Sequence, residues 1–156
     1  MLLIAKNRRA RFDYEILEKV EAGLALVGTE VKSLRDRQVS FSDSYARIDN
    51  GEAHLFNLHI KPYAQATAAF NHDPLRKRKL LLHAREIRRL VGKLSERGLT
   101  LVPLAIYFSE RGLAKVELGL GRGRKQHDKR EAIRRRTADR EMAREYPRGR
   151  RARREE

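Results

Sequence analysis

The 156-residue chain contains no cysteine, which excludes disulfides and thiolate metal sites and fits the reducing interior of a cell. No apolar run approaches the roughly 20 residues of a membrane span, so no membrane partner is expected. The start, MLLIAKNRRARF, is too short in its apolar part for a secretory signal. A soluble, cytoplasmic protein is expected. Catalytic patterns are lacking as well: His54, His59, His72, His83 and His127 fall without metal-ligand spacing, and there is no phosphate loop ending in Lys-Ser/Thr and no serine elbow. No enzyme, metal or cofactor is implied.

What the chain has in excess is positive charge, with 36 Lys+Arg against 21 Asp+Glu and a formal net charge of +15. Such a charge repels itself unless a polyanion is near. It is also uneven: from Arg122 onward 15 Lys+Arg face 7 Asp+Glu within 35 residues. The run GLGRGRKQHDKRE, Gly119 to Glu131, marks the change, since a strand pattern ends there and a basic stretch begins. Two regions follow. One is a domain over 1–121, a size that buries roughly two thirds of its unfolded surface; the other is a basic tail over 122–156.

Within the domain, YEILEKVEAGLALV (Tyr14 to Val27) alternates and then breaks at Glu21 to Gly23, which predicts two strands joined by a tight turn. Thr29 can cap a short helix, TEVKSLRDRQ, with Val31 and Leu34 on one face. Asn50-Gly51 between Ile48 and Leu55 predicts a hairpin, since both turn positions need positive φ. Lys61 to Lys79, with Pro62 and Pro74, reads as an ordered loop. From Ala84 to Arg97 the residues Ile87, Leu90, Val91 and Leu94 share a helical face, and Gly98 stands at the left-handed terminating position. The strands LTLVPLAIYF and LAKVELGLG close the pattern, with Pro103 marking an edge or a bulge. The expected class is mainly β: a small antiparallel six-stranded barrel of oligonucleotide-binding type, with two or three flanking helices and a basic C-terminal tail.

In the tail, Asp128 and Glu131 resemble a capping box, and Ala138, Met142 and Tyr146 recur at fours before Pro147. The implied helix is about 28 Å long at 1.5 Å per residue. Its apolar stripe is narrow among arginines, so the tail is expected to be disordered when free and helical when bound to a polyanion. A cationic arm gains affinity by releasing counterions from phosphate, whereas selectivity for RNA needs shape, 2′-hydroxyl contacts or base stacking. Tyr14, Tyr45, Phe12, His127 and the arginines of NRRAR, including Arg8 and Arg9, are stacking or phosphate candidates; the aromatics at strand spacing can equally be core residues. Asp73 in NHDP reads as a turn former. The RKRK run, Arg76 to Lys79, reads as phosphate contact or solvated loop, and GLGRGR as a flexible exit.

Several blocks together, NRRARFDYEIL (Asn7 to Leu17), EAGLAL.GTEVKSL (Glu21 to Leu34), DSYARI..GE (Asp43 to Glu52), NHDP..KRKLLLH..EI (Asn71 to Ile87), LTLVPL.IYF (Leu99 to Phe108) and KVELGL.RGRKQHDKRE (Lys115 to Glu131), closely resemble the SsrA-binding (SmpB) family, the partners of transfer-messenger RNA in bacterial trans-translation. The resemblance implies a domain that grips the tRNA-like part of that RNA and takes the place of its missing anticodon arm. It implies RNA contacts at Asn7, Glu21, Leu81 and Lys115, with Glu21 either accepting from RNA or holding its strand turn. It also implies engagement of the ribosomal decoding region by Gly123 and Asp128-Lys129-Arg130, with His127 stacking beside them and the tail in the empty mRNA channel. Elongation factor Tu enters indirectly, through the charged RNA. A monomer is expected. After Glu131 the resemblance is one of character only. The alternative is a structural ribosomal or general tRNA-binding barrel protein with a basic extension.

Overall fold

A computed structural model of the protein describes residues 1–96, 98–124 and 133–140. Contacts divide the chain into two units, Met1–Gly123 and Arg124–Glu156. In the first, β1 (Leu2–Lys6) and the one-turn helix α1 (Ala10–Asp13) precede the long strand β2 (Tyr14–Leu24). Helix α2 (Gly28–Arg35), the short β3 (Val39–Ser40), the strands β4 (Tyr45–Asp49) and β5 (Glu52–Phe56) and the short β6 (His59–Ile60) follow. A 3-10 turn at Ala68–Phe70 leads to β7 (Arg78–Leu81), α3 (Ala84–Leu94), β8 (Leu99–Phe108) and β9 (Ala114–Gly123). The hydrogen-bonded order is β1-β8-β4-β5-β7-β2-β9, and β9 pairs again with β8. Six strands thus form a ring, with β1 attached to β8 outside it, while β3 and β6 pair separately. In the second unit residues 133–140 are helical and exposed, and the Thr137 hydroxyl donates to the Ile133 carbonyl at 3.0 Å.

The ring holds six strands as expected, but not the six expected. No turn interrupts Tyr14 to Leu24: β2 pairs with β9 from Tyr14↔Gly123 to Gly23↔Lys115, with one bulge between Ile16 and Glu18. Gly23 is there because Leu81 lies on it. A Cβ at that position would stand 3.1 Å from Leu81 Cβ, so the glycine marks a close approach within a strand. The sixth place in the ring goes to β7, at the end of the stretch expected to be loop. Strand β9 also runs two residues past the expected end at Gly121, to Gly123. A Cβ on Gly121 would meet Tyr14 Cβ at 2.9 Å, and one on Gly119 would meet Leu104 Cδ1 at 2.8 Å. These glycines let Tyr14 and Ile16 pack onto a small second core of Ala10, Val102 and Leu104, and they are not a flexible exit.

Other local signals hold. Asn50 (φ 52°) and Gly51 (φ 76°) make the hairpin turn between β4 and β5, and Gly98 is left-handed at φ 85°. Pro103 sits at a bulge of β8, a strand bonded to β1, β4 and β9. Helix α2 starts one residue before Thr29, whose hydroxyl instead meets His72 Nδ1 at 2.8 Å. Its start is held by Glu30, which accepts from the Val27 N–H at 2.9 Å, the acidic half of a capping box. Helix α3 ends at Leu94, and of its expected apolar face Leu90 is buried while Val91 is 48% exposed.

The main core runs through the ring and is sealed by Leu34 of α2 and Leu90 of α3. One charged pair lies as deep as any leucine: Glu30 and Arg78 are both 0% exposed. Arg78 Nε donates to Glu30 Oε2, its Nη1 to the Leu58 carbonyl and its Nη2 to the Pro74 carbonyl at 3.1 Å. Arg76 Nη2 donates to the other carboxylate oxygen at 2.6 Å. Burial alone would raise the Glu30 pKa; hydrogen bonds from Arg76, the Val27 N–H and Arg78 outweigh it and hold the carboxyl below its ordinary value. The network ties α2, the loop after β6 and β7 into one body. Glu30→Ala strands Arg78 without its counter-charge and is expected to destabilise the fold by about 3–5 kcal/mol, read as a lower denaturant midpoint. Because the folded pKa is depressed, the stabilisation is complete above the ordinary carboxylate range and lost as pH falls through the lowered value; Glu30→Gln should flatten that acid dependence.

Candidate nucleic-acid interface

Strand β9 carries the site. Lys115 stands opposite Gly23 of β2 on one side and Tyr107 of β8 on the other. Side chains alternate between the faces of a strand, so Val116 and Leu118 fill the core while Lys115 and Glu117 face outward. Glu21, two residues from Gly23, shares that outer face. Leu81 of β7, opposite Gly23, is 54% exposed and completes the wall. Together Glu21, Gly23, Leu81, His83, Arg85 and Lys115 line a groove of about 640 Å³ that also takes in the exposed Leu113.

The Tyr107 phenol donates to Glu21 Oε2. Burial, then the bond to Glu21 and that residue's charge, raise the Tyr107 pKa, so the phenol stays a donor. Lys115 Nζ lies 3.9 Å from Glu21 Oε1, beyond hydrogen-bond reach, and keeps its donors available. One wall thus offers apolar surface for a base or ribose, a cation for phosphate and a carboxylate acceptor for a hydroxyl or amino group.

The chain matches the family model described as "SmpB protein" over residues 4–148. It is 58% identical over 142 residues to the SsrA-binding protein of Moorella thermoacetica, covering 91% of each chain. It is 53% identical over 149 residues to that of Enterococcus faecalis, covering 96% of each. A solved chain described as "tmRNA-SmpB: a journey to the center of the bacterial ribosome" superposes with a TM-score of 0.68 at 60% identity, covering 84% of this chain and 94% of that one. The chain belongs to the SmpB family.

Of the residues that the SmpB resemblance singled out, the fold brings Glu21, Leu81 and Lys115 into one groove. Asn7 is elsewhere. It lines a separate crevice of about 280 Å³ with Arg9, Tyr14, Ser44 and Tyr45, and its side chain is engaged with the chain itself: Nδ2 donates to the Pro103 carbonyl at 2.8 Å, and Oδ1 accepts from the Ala10 N–H at 3.3 Å. Arg8 and Arg9 are exposed in the turn before α1, Arg9 lying 3.5 Å from Asp13. Gly123 ends β9 opposite Tyr14. His127, Asp128, Lys129 and Arg130 lie outside the described residues.

The RKRK run divides, Arg78 and Lys79 by alternation within β7 and Arg76 and Lys77 in the segment that leads into it. Arg76 and Arg78 turn inward to Glu30, while Lys77 lies over the Phe56 ring at 5.9 Å and Lys79 is 3.6 Å from Glu52, so a solvated loop is the wrong description. Tyr45 stacks on Phe56 at 5.3 Å, and Asp73 accepts from the Leu75 N–H at 3.0 Å as a turn former. His72 is consumed: a carbonyl can only accept, so Nε2–H donates to Ile60 at 2.8 Å and, in the neutral ring, Nδ1 accepts from the Thr29 hydroxyl. Tyr107, His83, Arg85 and Leu113 were not foreseen. Tyr107 sits in an unbroken apolar run, and only its pairing with Lys115 reveals it. Asn7→Ala removes both backbone contacts and is expected to lower stability by about 1–3 kcal/mol, measured by denaturant unfolding.

Proposed function

We propose that this member of the SmpB family binds transfer-messenger RNA at its tRNA-like domain and brings it to stalled ribosomes for trans-translation, standing in for the anticodon arm. The observation that carries the reading is the groove in which Glu21, Leu81 and Lys115 meet. Its mixed chemistry suits a folded RNA elbow, where a base or ribose edge and a phosphate lie close together. The ring acts as a closed barrel of oligonucleotide-binding type, rigid enough to hold that wall in shape. Arg9 at the second crevice and Arg8 in the exposed turn beside it, with Asn7 holding that turn, add contacts.

The tail from residue 122 engages the ribosome. Gly123, His127, Asp128, Lys129 and Arg130 meet the decoding region, and the remaining cations follow the empty mRNA channel, gaining affinity through counterion release. mRNA in the channel would compete with the tail for the same phosphate-lined path. The protein works as a cytoplasmic monomer, and elongation factor Tu acts on the complex through the charged RNA.

Two outcomes test this. Lys115→Ala should weaken binding of transfer-messenger RNA and reduce the salt slope by about one phosphate contact; unchanged affinity and slope remove Lys115 from the site. Replacing Asp128, Lys129 and Arg130 together with Ala should leave that affinity intact and abolish peptide tagging on stalled ribosomes. Tagging at the normal rate would refute the role given to the tail.

A further inference from the structure

Tyr107 is outside the set of RNA contacts that the resemblance implies, yet its phenol bonds Glu21, which lines the groove. It lies on β8 between Ile106 and Phe108, which are 0% and 3% exposed, and is itself 9% exposed. Its ring is thus largely shielded from solvent on the face opposite those two side chains. Its phenol emerges at the outer face and donates to Glu21 Oε2 across β9. Glu21 needs such a tether. Its side chain is 56% exposed, and Lys115 is too distant to fix it by a hydrogen bond. The other cation on this part of the sheet, Lys19, is directed to Glu117 at 3.6 Å.

We infer that Tyr107 is a positioning residue for RNA recognition: by anchoring one oxygen of Glu21 it presents the other, beside the Lys115 ammonium, as a preset acceptor for a hydrogen-bond donor on the RNA. This rests on the groove being the transfer-messenger RNA site. A carboxylate already held in its bound orientation loses less freedom on binding than a free one. The anchor also keeps the carboxylate from folding onto Lys115, so acceptor and cation act on neighbouring groups, a donor and a phosphate. The arrangement explains why an acidic side chain sits in the wall of a groove that takes a polyanion. The Glu21 charge is shared between the phenol and Lys115, and the remaining acceptor is directed at one place.

A merely structural role is separable from this one. If the bond only satisfies a buried phenol, Tyr107→Phe affects stability and leaves RNA affinity alone. The test is a double-mutant cycle with transfer-messenger RNA on the full chain, using wild type, Tyr107→Phe, Glu21→Ala and the double variant, with Lys115→Ala alongside and thermal midpoints recorded for each. Tyr107→Phe should raise Kd about fivefold to tenfold, the scale of one ordinary net hydrogen bond, without changing the salt slope, since no cation is removed. In the Glu21→Ala background the same change should alter Kd by less than about twofold. Equal losses in both backgrounds, or none in the wild type while Glu21→Ala and Lys115→Ala weaken binding, overturn the positioning role alone. If Glu21→Ala and Lys115→Ala both bind as the wild type does, the groove reading fails and this inference fails with it.

Discussion

Strand β9 is hydrogen-bonded along nearly its whole length on both edges, to β2 and to β8, and the rest of the architecture depends on that double pairing. It closes the ring. It also sets the register that places Gly23, Lys115 and Tyr107 in one row, with Glu21 beside them. The price is paid in side-chain volume: where β2 and α1 fold back over the outer face, Gly119 and Gly121 must lack a Cβ for Leu104, Tyr14 and Ile16 to fit. One end of β9 is thus crowded and apolar, and the other is open and polar. The contrast puts the groove at the Lys115 end and the exit toward the basic stretch at the Gly123 end.

The buried Glu30 network supports the same wall from behind. Arg78 is the first residue of β7, and Leu81, three residues on, is the groove's exposed apolar surface. A guanidinium with bonds to Glu30, Leu58 and Pro74 leaves β7 little freedom to slip, and a slip of one residue would turn Leu81 inward. A buried ion pair is a weak source of net stability but an exacting one geometrically. Here it fixes which alternate residues of the RKRK run face RNA-accessible solvent.

Local rules made part of this legible in the sequence. Asn50-Gly51 demanded a hairpin, Gly98 a left-handed residue, Pro103 a bulge and Leu90 a buried helical position, because each signal acts within a few residues. What local rules could not reach was pairing. The Glu-Ala-Gly break in β2 looks like a turn until β9 is seen beside it, and Gly119 and Gly121 look like a hinge until Tyr14 and Leu104 are seen above them. Arg78 reads as a surface cation because its partner stands 48 residues away. The site was reached by resemblance at Glu21, Leu81 and Lys115. Tyr107, buried in an apolar run, carried no signal of its own.

The central claim is that the wall formed by β2, β7 and β9 receives the RNA. Hydroxyl-radical oxidation of side chains, with and without transfer-messenger RNA, tests it most directly. Leu81 and Leu113 are 54% and 56% exposed in the groove, whereas Phe70, 81% exposed at the 3-10 turn, lines neither the groove nor the Asn7 crevice. The account predicts that bound RNA slows oxidation of Leu81 and Leu113 and leaves Phe70 at its free rate. Protection of Phe70, with Leu81 and Leu113 oxidised as before, would contradict it.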